Sequence, residues 1–169
     1  MLIRAERDTD HAAVHALNAA AFPTSAEADL VDALRREARP LVSLVAECDG
    51  TVVGHILFSP VSLENRPDLG IMGLAPMAVV PDHQRSGIGS ALVRAGLAEC
   101  RRLGFSAVVV LGHPEYYPRF GFSPSVRYGI RSEYDVPDEV FMALELVPGA
   151  LREASGTVRY HPAFGNVSE

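Results

Sequence analysis

The chain has 169 residues, 48% hydrophobic and 21% charged, a length and balance that suit one folded domain around a single buried core. A formal charge of −6 argues against a nucleic-acid surface held by electrostatics, and no apolar run approaches the ~18 residues of a membrane span. All 15 basic residues are arginine, which excludes a lysine Schiff base and a lysine-bearing phosphate loop.

Cys48 and Cys100 lie far apart and outside any paired motif, as expected for reduced thiols in a cytoplasmic protein. The first residues, Met-Leu-Ile-Arg-Ala-Glu-Arg-Asp, lack the apolar centre of a signal peptide. No internal repeat or low-complexity linker divides the sequence, so residues 1–169 are expected to form one domain.

Residues 2–5 suit a short strand. Asp8, Thr9 or Asp10 is placed to cap a helix ending near Ala21, and Ser25 to open a second helix ending near Pro40. Two β-rich runs, 41–48 and 51–58, flank Asp49-Gly50, the dipeptide of a two-residue hairpin turn. With that turn, residues whose numbers sum to 99 face one another. Glu47 then shares a face with Val52, Gly54 and Ile56, and His55 projects from the opposite one.

Residues 62–70 read as a loop. The apolar stretch 71–80 holds Gly73 and Pro76; proline cannot donate to a ladder, so this strand should carry a bulge or a break in pairing. A helix over 87–103 is polar only at Ser90 and Arg94 before its last turns and should be largely covered. The run from Phe105 to Leu111 has the continuous apolar character of a parallel strand buried on both faces. A short helix over 114–120, an irregular loop over 123–138, and strands over 139–146 and 156–160 complete the order. One strand–helix–strand crossover among these elements makes the class α/β or α+β, with a mixed sheet.

The segment Met-Ala-Val-Val-Pro-Asp-His-Gln-Arg-Ser-Gly-Ile-Gly-Ser, from Met77 to Ser90, carries the most chemistry. Gln84 to Gly89 supplies a turn of backbone donors ahead of a helix N-terminus, and Gly87 and Gly89 let an anion approach the main chain. The interrupted strand before it offers unpaired backbone groups to an extended, amide-bearing ligand. A phosphate cradle beside a strand-like arm describes coenzyme A. A Walker loop would need a lysine, and a dinucleotide fingerprint would need a third glycine where Leu92 stands.

Gln84-Arg85-Ser86-Gly87-Ile88-Gly89 resembles the Gln/Arg-x-x-Gly-x-Gly/Ala signature of the GNAT superfamily of N-acetyltransferases. The likeness extends to Leu-Ala-Pro-Met-Ala-Val-Val-Pro before it, to Ala-Leu-Val after it, and to Tyr117-Pro-Arg-Phe-Gly121-Phe122, across residues 70–123. His-Pro-x-Tyr-Tyr-x-Arg-Phe-Gly-Phe is similar to a subset of predicted small N-acetyltransferases. The family's Asn-x-x-Ala-x-x-x-Tyr is absent, because Val110 stands seven residues before Tyr117; contacts made by that asparagine do not carry over. The resemblance implies a mostly antiparallel central sheet flanked by helices and splayed at a bulged strand near 71–80. It also implies acetyl-CoA as co-substrate, with no metal.

The same resemblance implies direct attack of an amine on the thioester. An alkyl ammonium of pKa near 10.4 yields its free amine at pH 7 only at a cost of about 4–5 kcal/mol, unless a base or desolvation assists. Tyr117 is the expected general acid for the departing thiolate, with Tyr116 as fallback and as a coenzyme contact. Met77, Ala78, Val79, Gln84, Arg85, Ser86, Gly87, Ile88, Gly89 and Ser90 are the other expected coenzyme contacts. Glu27 is the provisional base; Glu47, His55, His113 or a water chain are the alternatives. His11 and His15 stand one helical turn apart but have no obvious third ligand in sequence, and His83 and His161 read as loop residues. The acceptor is expected to be a primary amine of a small molecule or protein, its walls falling in residues 22–30 and 123–138. A monomer or homodimer fits equally. The competing readings are a non-catalytic acyl-CoA sensor and a scaffold that binds no coenzyme.

Overall fold

A computed structural model describes residues 1–166, so the last three positions of the expected domain lie outside the described residues. The chain forms two compact units. One holds Met1–Ser59, Ala75–Gly96 and the segment beginning at Pro162; the other holds Pro60–Leu74 and Leu97–His161.

In the first unit, strand β1 (Leu2–Ala5) pairs antiparallel with β2 (Val42–Cys48), which pairs antiparallel with β3 (Thr51–Leu63). Helices α1 (His11–Ala21) and α2 (Ala26–Glu37) bury Val14, Leu17, Ala28, Leu30, Val31 and Leu34, a spacing of three and four that puts one apolar stripe on each helix. Neither helix takes the side-chain cap expected from sequence. The Asp10 carboxylate instead accepts from Arg4 at 2.7 Å and from the Arg7 amide at 2.7 Å, and the Ser25 hydroxyl donates to Asp29 at 3.3 Å. Asp49 and Gly50 turn the β2–β3 hairpin with φ of 51° and 78°, the doubly left-handed form that Asp-Gly favours.

The register departs from the simple hairpin. Glu47 faces Val52, but Ala46 faces Gly54 and Val45 faces His55, because a bulge falls between Ala46 and Glu47. A slip of one residue turns every side chain beyond it to the other face. Gly54 and Ile56 therefore share a face with Ala46, and His55 shares one with Val45 and Glu47, the reverse of the sequence expectation. A Cβ at Gly54 would stand 3.1 Å from Ile88 and Leu92 side chains, so the bulge sets a glycine where a helix presses on the sheet.

The second unit contains the first half of β4 (Ile71–Val79), with Ile71–Leu74 parallel to β5 (Ala107–Val110 of Ala107–Leu111). The β4–β5 ladder stops at Leu74, immediately before Ala75 and Pro76, which is the break in pairing that proline requires. β8 (Phe141–Glu145) runs antiparallel to β5 and to the two-residue β6 (Ser123–Pro124). β9 (Gly156–Arg159) pairs antiparallel with the end of β3 and parallel with β7 (Ile130–Ser132). The core here is Val61, Leu63, Ile71, Val109, Ile130, Phe141, Leu151 and Val158 with small alanines between.

Chain continuity carries β3, β4 and α3 (Ile88–Arg102) from one unit to the other. Together these pairings make a mixed, mostly antiparallel sheet of nine strands among the described residues. Two further expectations are corrected. Residues 114–120 form no α-helix; Pro118 and the left-handed Gly121, at φ 102°, limit the segment to a 3₁₀ turn, Tyr117–Phe120. The 123–138 loop contains β6 and β7, too short to register as period-two patterns.

Candidate active site

The glycine turn lies wholly in the first unit. Val80 donates its amide to Val53 at 2.9 Å, securing the end of β4 on β3. A 3₁₀ turn, Pro81–His83, follows, and the Gln84 side chain reaches back to donate to the Val79 carbonyl at 3.0 Å. Gln84 thus clips the turn to the strand. Arg85 and Gly87 take left-handed backbone, φ 62° and 88°, either side of Ser86, whose hydroxyl donates to the His83 carbonyl. Alternation into the left-handed region aims neighbouring amides at a common concavity.

The Gly87 carbonyl accepts the Ala91 amide at 3.0 Å, so Gly87 caps α3 and the amides of Ile88 and Gly89 open the helix without intrahelical acceptors. A Cβ at Gly87 would meet no atom within 4 Å. The turn is exposed from Gln84 to Gly87, and Ile88 plugs beneath it at 5% exposure. An exposed turn ahead of a helix N-terminus is an arrangement suited to an anion. On β4, Met77 and Val79 are half-buried and Ala78 is buried, with their backbone past the end of the β5 ladder.

The tyrosines lie in the second unit, after β5. The Tyr116 and Tyr117 amides both donate to the His113 carbonyl, at 3.1 and 3.3 Å, folding the chain back over the strand end. Tyr117 is 7% exposed, its ring edge-on to Tyr116 at 5.0 Å and to Phe122 at 5.7 Å. Burial above all, and the adjoining Tyr116 next, push its phenol up to about 12. The proton therefore stays on the ring throughout the neutral range. Arg119 lies over the half-buried Tyr116 ring, 4.5 Å from its centroid. Sequence reasoning passed over Gly112, the residue on which the Tyr117 ring rests; its only signal was its place between the apolar run and His113-Pro114.

The candidate bases separate by their partners. Glu47 accepts from Arg4 Nε at 3.0 Å and is already paired. His55 is fully buried. Asn18 Nδ2 donates to Val14 O at 3.0 Å and to His55 Nδ1 at 3.2 Å. Its proton is then on Nε2, which donates to Ser43 Oγ at 2.9 Å, and that hydroxyl donates to Glu6 at 2.9 Å. Arg35 closes the chain on Glu6 at 2.6 Å. Burial, followed by the Arg35 charge, lowers the His55 pKa to about 3, so it is a neutral link in a sealed network.

His113 is exposed. Glu27, in the first turn of α2, is half-buried, and its Oε1 is enclosed without a hydrogen-bond partner. Of the four, Glu27 alone combines enclosure with an uncommitted oxygen. His15 bonds Asp32 at 2.9 Å, and Asp29 joins them within 4.8 Å; the third group that sequence did not offer His15 comes from α2, and His11 takes no part. His83 ends the 3₁₀ turn before the cradle, with Nδ1 enclosed and unpartnered, and His161 is half-buried just beyond β9. Cys48 and Cys100 are free thiols; burial, foremost, pushes Cys100 up to about 12, which leaves it unreactive.

A mixed sheet broken after Leu74 and a glycine turn opening the following helix define an acyl-coenzyme A transferase fold, and the profile of the Acetyltransferase (GNAT) family matches residues 11–122. The chain belongs to the GNAT family of acetyltransferases. It is 37% identical over 165 residues to Escherichia coli K12 YhbS, named as an uncharacterized N-acetyltransferase, covering 97% of this chain and 98% of YhbS. The crystal structure of E. coli YhbS in complex with CoA superposes with a TM-score of 0.92 at 36% identity, covering 97% of this chain and 91% of that one. A GNAT acetyltransferase from Brucella melitensis in complex with acetyl-CoA gives a TM-score of 0.80 at 38% identity, covering 96% and 97%.

Proposed function

We propose that this chain acetylates a primary amine of a small molecule or protein, using acetyl-CoA and direct attack within a ternary complex. The observation that carries this reading is the open turn at Gly87, with its positive φ, vacant surroundings and helix behind it. The pyrophosphate is assigned to the backbone from Gln84 to Ser90, with Arg85 as the nearby cation. The amide-bearing arm is assigned to the backbone of Met77, Ala78 and Val79, on the edge that the β5 ladder leaves past Leu74, and Tyr116 flanks the coenzyme.

Acetyl-CoA supplies the activated acetyl group. Glu27 takes the proton of the incoming ammonium on its enclosed Oε1, which has no hydrogen-bond partner to compete for it. Tyr117 holds the proton that the departing thiolate, of ordinary pKa ~8.5, receives. A backbone amide of the interrupted strand is the donor for the oxyanion. Both units work as one transferase domain, in keeping with a match that covers nearly all of YhbS. The protein is assigned to the cytoplasm as a monomer or homodimer without nucleic-acid or membrane partners; among the described residues no helix is long and apolar enough to cross a membrane.

The test is a thermal shift with acetyl-CoA. Ligand at a hundred times its Kd adds about 2.7 kcal/mol, or roughly 5–10 °C for a chain of this size. The shift is expected in the native protein and lost in Gly87→Glu. No shift in the native protein, with calorimetry in agreement, refutes the reading. Tight binding without CoA release across a panel of primary amines would establish the acyl-CoA sensor instead.

A further inference from the structure

We propose that Gly112 is a positioning residue for Tyr117: the side chain missing at the end of β5 is the seat that fixes the phenol. This rests on the acid role proposed for Tyr117. A Cβ built on Gly112 would lie 2.2 Å from Tyr117 Cε2, 2.8 Å from Cδ2 and 3.3 Å from Cζ, the atom bearing the hydroxyl. The intruding contact is with the Cδ2–Cε2 edge of the ring and is tightest at Cε2, next to the carbon that bears the hydroxyl, so a side chain at 112 displaces the ring and carries the phenol oxygen with it.

Backbone geometry does not explain the glycine. The positive-φ glycines include Gly87, Gly104, Gly121 and Gly129, and Gly112 is not among them. Its main chain is one that any residue adopts, and its amide is held by the Val140 carbonyl at 2.9 Å. The three heavy atoms nearest a Cβ at this position all belong to the Tyr117 ring.

Nor does the ring have room to yield. Tyr116 stands edge-on at 5.0 Å, Phe122 at 5.7 Å and Phe120 tilted at 6.3 Å. Relieving the Cε2 contact requires a shift of about 1 Å, a misplacement that costs on the order of 10²-fold when it falls on a catalytic group.

The experiment compares Gly112→Ala, Tyr117→Phe and the double variant, with free thiol released from acetyl-CoA and a panel of primary alkylamines. Gly112→Ala is expected to lower kcat by roughly 10–100-fold, with KM for acetyl-CoA within about threefold. In the Tyr117→Phe background the same substitution is expected to change kcat by less than about threefold, since no proton remains to misplace.

A second readout needs no turnover. Gly112→Ala is expected to lower the melting temperature by roughly 3–9 °C. On Tyr117→Leu, which lacks Cε2 and Cζ, that penalty is expected to shrink to under about 2 °C. Gly112→Ala at native rate, or an equal loss in both backgrounds, overturns the seat while leaving the acid role standing. Tyr117→Phe at native rate overturns the acid role, and with it the catalytic meaning of the seat. An undiminished melting penalty on Tyr117→Leu shows that the side chain collides with something other than the ring, which also overturns the proposal.

Discussion

Gly87 and Gly112 are glycines for opposite reasons. At Gly87 the surroundings are empty and the backbone is special: φ is 88° and a Cβ would touch nothing within 4 Å. At Gly112 the backbone is ordinary and the surroundings are full, with a tyrosine ring 2.2 Å from where a Cβ would stand. The first is a local device that six neighbouring residues specify. The second is a tertiary device, meaningful only because the chain folds back and lays Tyr117 on the strand end. The contrast extends to chemistry: the open turn is the proposed seat of the coenzyme's pyrophosphate, and the closed niche keeps a phenol protonated.

The largest test falls on the closed side. Tyr117→Phe keeps the ring packing and removes the proton, so acetyl transfer is expected to fall by about 10²-fold or more with acetyl-CoA affinity nearly unchanged. Single-turnover rates with matched binding isotherms check this, and an unchanged rate takes Tyr117 out of the chemistry. On the open side, Gly87→Glu is expected to abolish the ~2.7 kcal/mol that acetyl-CoA contributes at a hundred times its Kd, with little effect on unliganded stability beyond backbone strain.

A third glycine sharpens the steric half of the comparison. Gly96 lies inside α3, where helix propensity alone favours alanine by about 1 kcal/mol. A Cβ there would stand 2.1 Å from Cε1 of the fully buried Phe58. The collision should win, and Gly96→Ala is expected to lose roughly 1–3 kcal/mol in denaturant melts. A stabilised variant would show that packing around Phe58 is looser than the structure implies.

His55 tests burial as Tyr117 does, but through pH. Its folded-state pKa of about 3 lies below the unfolded value near 6.5, so the unfolded chain takes the proton first. Stability is full above pH 6.5 and falls as pH drops toward 3, by at most about 1.4 kcal/mol per pH unit from this group. A flat stability curve between pH 6.5 and 4 would mean that the Asn18–His55–Ser43 network opens to solvent. The smallest effect belongs to Gly87→Ala, where only the positive φ objects, at about 1–2 kcal/mol. A larger loss there would point to a hidden contact at the turn.

Much of the fold was legible in sequence because its signals are local. The Asp49-Gly50 turn, the apolar strand after α3, the proline that ends the β4–β5 ladder and the glycine turn are each encoded within a few residues. The errors share a cause as well. The bulge beside Ala46 places Gly54 against Ile88 and Leu92 of α3, a contact between residues far apart in sequence, and it reversed the face assigned to His55. The candidate bases looked alike as letters. They differ in the structure because Glu47 meets Arg4 and His55 meets Asn18 and Ser43, whereas Glu27 keeps an enclosed oxygen without a partner.

What sequence alone determined was the family signature and the order of elements, since glycine, proline and apolar periodicity act on backbone conformation within a turn or two. What only tertiary structure decided was the state of each functional side chain. Protonation and position depend on which distant groups exclude water from it: Tyr117 keeps its proton and its place because three aromatic rings and one glycine close around it, and none of those contacts is written in the residue itself.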